Sequence, residues 1–418
     1  MLVERPKLAP VDPPVPSALP GWLAACVRLR YWLIALASLA YASNGYENSG
    51  GDFSFIRTGA RVLVGLPAGF SNGSYGRFGI YAADPHVQVG PIAMLVTAPV
   101  AAFSLDTSRL VITVLMALAL PLLLWLAEDA AKVATARTEQ ELGTVVLTAG
   151  LFSVPMWHQV LLFGHVDDAL VMVCAAWSLR ALARRQPVLL GLTLALAVDS
   201  KPWALGAVPL VLALPTGAQR LRAGATLVAG VVAAWTPFLL PSGALGGLLG
   251  FHIPVDGRSA LTLIGVQTGS TMPLWARPAQ LVVALVLVWF AVRQGRPAAA
   301  LLVVVAARVA LDAGAYSYYL TGLIIGCALY EIVGTDRRVA WLTALIAFVE
   351  YDITWLTNST TVLAWINLSA LAVGAVVLLV PAARARGGGE SGLGIHDSPA
   401  HVSAWHHRPS RDLVDRES

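Results

Sequence analysis

Apolar runs of helical-span length recur along this 418-residue chain, and that recurrence constrains its fold more than any other feature. About 20 apolar residues carry a helix across the hydrocarbon core of a bilayer. Runs of this kind, some of them shorter, fall at 31–41 (with 21–27 leading into it), 89–104, 109–127, 143–163, 166–183, 187–199, 203–215, 223–241, 278–293, 297–312, 316–334, 339–356 and 361–381. Charge is correspondingly scarce. Only 12% of residues are charged and 57% are hydrophobic, at a mean hydropathy of +0.70, whereas a soluble domain carries about 25% charged residues. The chain is therefore expected to fold as an all-α, polytopic transmembrane helical bundle. The segment Met1–Gly21 is proline-rich and polar with no apolar centre, so no cleavable signal peptide is expected.

The few charges orient the bundle. A net charge of +4 and a pI near 9.1 would suit a nucleic-acid partner. The basic residues, however, sit in short clusters between apolar runs, where the positive-inside rule accounts for them, and no nucleic acid is expected. Arg180/Arg184/Arg185, Arg220/Arg222, Arg293/Arg296, Arg337/Arg338 and Arg384/Arg386 mark the inner side, as do Arg5, Lys7, Arg28 and Arg30 at the N-terminus. Residues 164–168, 199–201, 241–277, 312–316 and 355–359 then face outward. Thirteen runs conflict with two inner termini, which require an even number. Either 89–104, short and broken by Pro91 and Pro99, does not span, or 143–163 inserts only partly. The first is preferred, which leaves about twelve spans and makes residues 128–141 an inner loop.

Three parts follow: a cytoplasmic segment 1–30, a transmembrane domain 31–383, and a disordered cytoplasmic tail 384–418 rich in Gly, His, Ser and Arg. The tail histidines His396, His401, His406 and His407 read as incidental. Cys26, Cys174 and Cys327 read as small core residues without ligand spacing. The largest loop, 42–89, lies outside. Within it DFSFIRTGARVLVGL (Asp52–Leu66) sets apolar residues at helical spacing around Arg57 and Arg61, as an interfacial helix would.

The polar residues that break the apolar pattern gather on the outer side: Asp52, Arg57, Asp84, His86, Gln88, His165, Asp167, Asp168, Asp199, Lys201, His252, Asp256 and Arg258. Ionised groups in apolar surroundings are costly and need a reason. In GHVDDAL, Gly164–Leu170, the glycine can turn the chain between two helices, and Asp167 and Asp168 can sit in the next helix's first turn, where the dipole favours acids. His165 is left unexplained. Lys201, in DSKPW, either snorkels to water beside Asp199 or faces a site. Asp52 either caps the interfacial helix or faces the same site. Asp84, Asp106 and Asp256 read equally well as solvated loop residues.

Three motifs in order resemble the GT-C integral-membrane glycosyltransferases, nearest to the actinobacterial group around family 87, the polyprenyl-phosphomannose-dependent mannosyltransferases. The first is an acid opening the first outer loop, then a Gly-Ala pair, a Gly and a Tyr: Asp52, Gly59–Ala60, Gly65 and Tyr81. The second is the outer turn GHVDD, and the third an apolar helix ending in Lys and Pro, LALAVDSKPWALGAVPL. QVGPIAMLVTAPVAAF (Gln88–Phe103) is similar to the proline-bearing segment after the first outer loop in that group. The resemblance covers about residues 30–215. It departs where GHVDD replaces the commoner amide-bearing turn and where 66–80 reads as a Gly/Ser insertion.

The resemblance implies an inverting hexosyltransferase of the cell membrane, with its active site facing the outer, periplasmic side. It would move a sugar, mannose first, from a polyprenyl-phosphate donor to a glycolipid or polysaccharide acceptor among membrane lipids. An alcohol is a weak nucleophile, and a positioned carboxylate base contributes about 10²–10⁴-fold. Asp52 would be that base. Lys201, with Arg258 or Arg57, would hold the donor phosphate. His165 and Asp168 would contact sugar hydroxyls or orient Lys201, and Gln88 and His86 would add substrate contacts. No cofactor is needed. Nothing demands a metal, although Asp167/Asp168 could serve one. Two other classes stay open: a transporter or lipid flippase, which also uses intramembrane His, Asp and Lys, and a non-catalytic envelope-assembly protein. Against the carrier, no internal repeat is visible and the charges lie at one face.

Overall fold

The computed structural model describes residues 19–45, 52–67, 76–84, 86–250, 252–353 and 356–379. The expectations for residues 1–18, for most of the Gly/Ser stretch 68–75 and for the tail with its histidines lie outside the described residues. The described chain is all-helical. It holds no strand, only one isolated antiparallel bridge between Pro254 and Thr271.

In chain order the helices are α1 (Gly21–Arg28), α2 (Arg30–Gly45), α3 (Phe53–Leu63), α4 (Ile80–Ala83), α5 (Pro91–Thr97), α6 (Leu105–Ala134), α7 (Glu139–Phe163), α8 (Val166–Ala183) and α9 (Pro187–Ser200). A 3₁₀ helix, Pro202–Ala213, precedes α10 (Gly217–Leu239), α11 (Ala244–Gly250), α12 (Ala276–Arg293) and α13 (Ala300–Leu311). Then come α14 (Ser317–Gly334), α15 (Trp341–Ala347), a π-helical turn at Phe348–Ile353, and α16 (Thr360–Leu379).

Among these, α6, α7, α10, α12, α14 and α16 are each long and apolar enough to cross a membrane, and α1 with α2, bent by 72°, makes up to seven. The helix α8 is equally long at 18 residues but carries Asp167, Asp168 and Arg180. Five apolar helices are shorter, including Pro91–Val100. There Pro91 opens the helix at its first turn and Pro99 lies in a 3₁₀ turn that ends at Val100. The α7 helix is continuous over 25 residues despite Pro155.

Two boundaries differ from the sequence reading. The expected inner loop 128–141 is mostly helix, because α6 runs on to Ala134 and only residues 135–138 link it to α7. Its charges are no reason to stop: Glu128 is 1% exposed and ion-pairs with Arg30 at 2.7 Å and Lys132 at 2.9 Å. The run 203–215 forms a 3₁₀ helix of 12 residues, with Pro202 at its start and Pro209 inside. A 3₁₀ helix rises about 2.0 Å per residue, so this short segment reaches about 24 Å.

Packing centres on α13 and α14, which bury nearly their whole lengths, from Ala300 to Ala310 and from Tyr318 to Ile332. Thr321 donates to the Met156 carbonyl oxygen at 2.7 Å and Ser317 to Gln159 at 2.9 Å, fastening α14 to α7. The amphipathic α3 buries Phe53, Ile56, Gly59 and Ala60 on one side. On the other, Arg57 donates to the Phe103 carbonyl and Arg61 to those of Ala101 and Pro67. These bonds clamp α3 over the 98–108 segment and set Asp52, just before it, at the mouth of the site.

Candidate functional site

The turn GHVDD brings two helices and the start of α3 together. Gly164 ends α7 in the left-handed region at φ 71°, where a glycine escapes the Cβ penalty. A Cβ there would lie 2.5 Å from Phe53 Cβ, so the glycine also lets α3 pack directly onto the turn. His165 follows in the N-cap position of α8 without capping it, and Asp167 and Asp168 fall in the first turn. They are not solvated helix-start acids, being 1% and 3% exposed.

A second turn supplies the cation. Lys201 is extended between α9 and the 3₁₀ helix, and Gly90 N–H donates to the Ser200 carbonyl at 2.9 Å to brace it. A Cβ at residue 90 would collide with the Asp199 carbonyl oxygen, which gives the QVGP segment its own reason for a glycine. Lys201 does not snorkel beside Asp199. Its Nζ sits 2.8 Å from Asp167 Oδ2 and 2.6 Å from Asp168 Oδ2.

From these turns runs a continuous chain of ionisable groups. Asp52 Oδ2 lies 2.8 Å from His165 Nε2, and His165 Nδ1 lies 3.2 Å from Asp167 Oδ1. The Asp52 contact departs from the ring N–H direction, so it is an ion-pair approach and not a linear hydrogen bond. Lys201 links Asp167 to Asp168; Arg308 Nη1 takes the other Asp168 oxygen at 2.9 Å, and Arg308 Nε approaches Asp312 Oδ2 at 3.9 Å. With the imidazole protonated, seven groups alternate acid and base from Asp52 to Asp312. All but Asp52 are largely buried; its side chain is 44% exposed. Alternation is how such groups survive together in low dielectric, since each charge between the two ends of the chain has an opposite neighbour on either side.

Aromatic rings hold the chain in place. Tyr318 stacks on His165 with centroids 3.7 Å apart, and Tyr316 stacks on Tyr318 at 5.4 Å. Arg308 lies over the Tyr319 ring at 3.7 Å and Trp203 at 5.0 Å, while Trp203 donates from Nε1 to Asp168 at 3.2 Å. A cation over a ring face is attracted by its quadrupole.

The chain forms one wall of a cavity of about 550 Å³. Much of the rest of the lining is apolar, with Phe55, Leu248, Leu281 and Ala284 among it, and Trp235 and Gln280 contribute as well. Of the residues singled out in the sequence, Asp52, His86, Gln88, His165, Asp167 and Lys201 line this cavity. Asp168 lies behind its wall, bonded to Lys201, Trp203 and Arg308.

The structure does not bring Arg57 or Arg258 to it. Arg57 donates to Phe103 and Ser108 beneath α3. Arg258 is bound to Asp256 at 2.7 Å in the loop between α11 and α12, and that hydrogen bond holds the Asp256 carboxyl below the usual range. His86 stands at the exposed edge, 3.0 Å from Asp84.

Sequence reasoning missed Arg308, Asp312, Tyr316, Tyr318, Tyr319 and Arg277. The signal for two of them was present: Arg308 is the sole charge inside ALLVVVAARVAL, and Asp312 follows at i+4. His165, Asp167 and Asp168 offer three ligand atoms within 4.8 Å of one another, the kind of set that holds a metal. Lys201 stands between both carboxylates and Arg308 takes the second oxygen of Asp168, so the cationic place among them is already filled. Compared with protein-family models and with curated proteins, the chain has no match.

Proposed function

We propose that the protein is a membrane-embedded hexosyltransferase that moves a sugar, mannose first, from a polyprenyl phosphate to a glycolipid or glycan acceptor at the outer face of the cell membrane. One observation supports it above others: the half-exposed Asp52 carboxylate stands at the edge of an amphipathic cavity, at the open end of a buried charge chain. The apolar walls suit a lipid-linked ligand and the polar wall suits sugar hydroxyls.

In this reading an acceptor hydroxyl attacks the anomeric carbon, and its proton passes to the free Asp52 oxygen. The bond from that carbon to the phosphate oxygen breaks, and polyprenyl phosphate leaves with the electron pair. His165, pinned by Asp167 and Tyr318, orients Asp52. Proton transfer to such a base is worth about 10²–10⁴-fold. The arrangement is read as GT-C-like with about twelve spans: the seven by length, α8, and four of the five shorter helices, with Pro91–Val100 excluded.

The test is transfer from polyprenyl-phosphate sugars in membranes carrying wild-type protein or Asp52→Asn. Loss of transfer with protein levels intact supports the assignment, and full activity in the variant removes it. The buried charge chain also favours a second reading, a proton-coupled carrier. Accumulation of solute in proteoliposomes under a proton gradient would select that reading over the transferase.

A further inference from the structure

Three cations other than histidine line the cavity: Lys201, Arg308 and Arg277. The first two are committed. Lys201 serves Asp167 and Asp168, and Arg308 serves Asp168 and Asp312. An anion entering the cavity meets them already neutralised, in a wall where acids outnumber fixed cations. Arg277, an exposed residue in the first turn of α12, makes no hydrogen bond or ion pair among the described residues. Among the described residues it is the cavity's one uncommitted positive charge.

The same helix shows what kind of anion fits. One and two turns further along α12, Leu281 and Ala284 line the cavity, so cation gives way to hydrocarbon along a single face. The 3₁₀ helix, α10 and α12 all contribute to this cavity and, elsewhere along their lengths, to a second, apolar cavity of about 500 Å³. Leu285 and Trp289 of α12 line it, with Leu212 of the 3₁₀ helix and Gly224 of α10. A charged head beside an apolar slot matches an amphiphile with a phosphate head and a hydrocarbon chain, and a free sugar phosphate would leave the slot unused.

We infer that Arg277 anchors the phosphate of a prenyl-phosphate lipid whose first isoprene units lie in the slot between α12, α10 and the 3₁₀ helix. This assignment rests on the proposed lipid-linked donor, and it moves the donor-phosphate role from Lys201 to Arg277. Guanidinium and phosphate make charge-assisted, often bidentate hydrogen bonds, about twice as strong as neutral ones.

The test is equilibrium binding by the purified full-length protein in detergent, with farnesyl phosphate, farnesol and inorganic phosphate as probes. Wild-type protein should bind farnesyl phosphate at least about tenfold more tightly than farnesol, and inorganic phosphate far more weakly than either. Arg277→Gln should weaken farnesyl phosphate about tenfold and erase its advantage over farnesol, while Arg277→Lys keeps part of it. Gly224→Trp should weaken both prenyl probes alike; a Cβ at 224 meets nothing within 4 Å, so the side chain can enter the slot without displacing the backbone.

If Arg277→Gln still prefers the phosphate over the alcohol as wild type does, the anchor is wrong although the lipid-donor reading stands. If wild type binds neither prenyl probe, that reading fails as well. Inorganic phosphate binding as tightly as farnesyl phosphate would mean a free-phosphate site and would overturn the lipid assignment.

Discussion

Two clusters of charge stand at opposite ends of α7, and they are built differently. Beyond its N-terminal end, Glu128 is held by Arg30 and Lys132, and Asp129 by Arg180 at 2.5 Å and Arg184 at 2.8 Å. Two acids face four cations there. Beyond the C-terminal end, four acids (Asp52, Asp167, Asp168 and Asp312) share Lys201, Arg308 and His165 along a cavity wall. The first cluster ties α2, α6 and α8 together, with each acid gripped by two cations. The second leaves one carboxylate half open. Buried charge alone therefore marks a cost that the fold has offset; an incompletely enclosed acid beside empty volume marks a place for chemistry.

The largest effect should separate the two clusters by activity. Asp52→Asn is expected to lower sugar transfer by about 10²–10⁴-fold, with a thermal unfolding midpoint close to wild type because the side chain is half exposed. Glu128→Gln should leave transfer per folded molecule unchanged. Initial rates normalised to folded protein, measured beside melting curves, check both. If Glu128→Gln also abolishes transfer, the division between a structural and a reactive cluster is lost.

The next prediction concerns stability and is sharpest inside the cavity wall. Asp168→Asn removes one acid from between Lys201 and Arg308, leaving two buried cations short of a partner. Breaking a buried pair from one side costs about 3–5 kcal/mol, so the variant should unfold far more easily than Asp52→Asn. Glu128→Gln should cost a comparable amount at the other end. Denaturant unfolding of the three variants orders them. An Asp168→Asn protein as stable as wild type would show that the alternation of charge is not what holds the wall.

How much of this is legible in the sequence depends on sequence distance. GHVDD and DSKPW each announce themselves, because polar residues interrupt apolar runs locally. Their meeting through Lys201 joins residues more than 30 positions apart, and only the side assigned from the basic clusters, not spacing, gathers them on one face of the bundle. Arg308 is hidden for the opposite reason: one cation in a long apolar helix looks like a boundary marker until its partner Asp168, 140 residues away, is known. The all-helical class follows from composition. The length of α6 does not, since Glu128 looks like a loop residue unless Arg30 is seen to cover it.

Gly164 lets the comparison be tested through the backbone alone. Gly164→Ala places a Cβ at φ 71° and 2.5 Å from Phe53, so α3 must shift away from the turn. The left-handed conformation itself costs about 1–2 kcal/mol for a residue with a Cβ. Transfer should fall more than stability does, because the displaced element carries Asp52. Initial transfer rates and melting curves of Gly164→Ala beside wild type check this; equal losses in both would mean that the turn does not position Asp52.

The smallest effect is expected at a pair that belongs to neither cluster. Asp256 and Arg258 lie two residues apart in the loop between α11 and α12, with side chains 28% and 45% exposed, so solvent screens their 2.7 Å contact. Such a pair is worth about 0.5 kcal/mol. Its hydrogen bond lowers the Asp256 pKa below the unfolded value, so the stabilisation is present at neutral pH and fades as pH falls through that lowered pKa, below about pH 4. Asp256→Asn should therefore lower the melting midpoint slightly at pH 7 and leave it unchanged under acid. A loss persisting at low pH would mean that Asp256 supports the loop through its backbone turn, where its Oδ1 accepts from Arg258 N–H at 2.8 Å, and not through its charge.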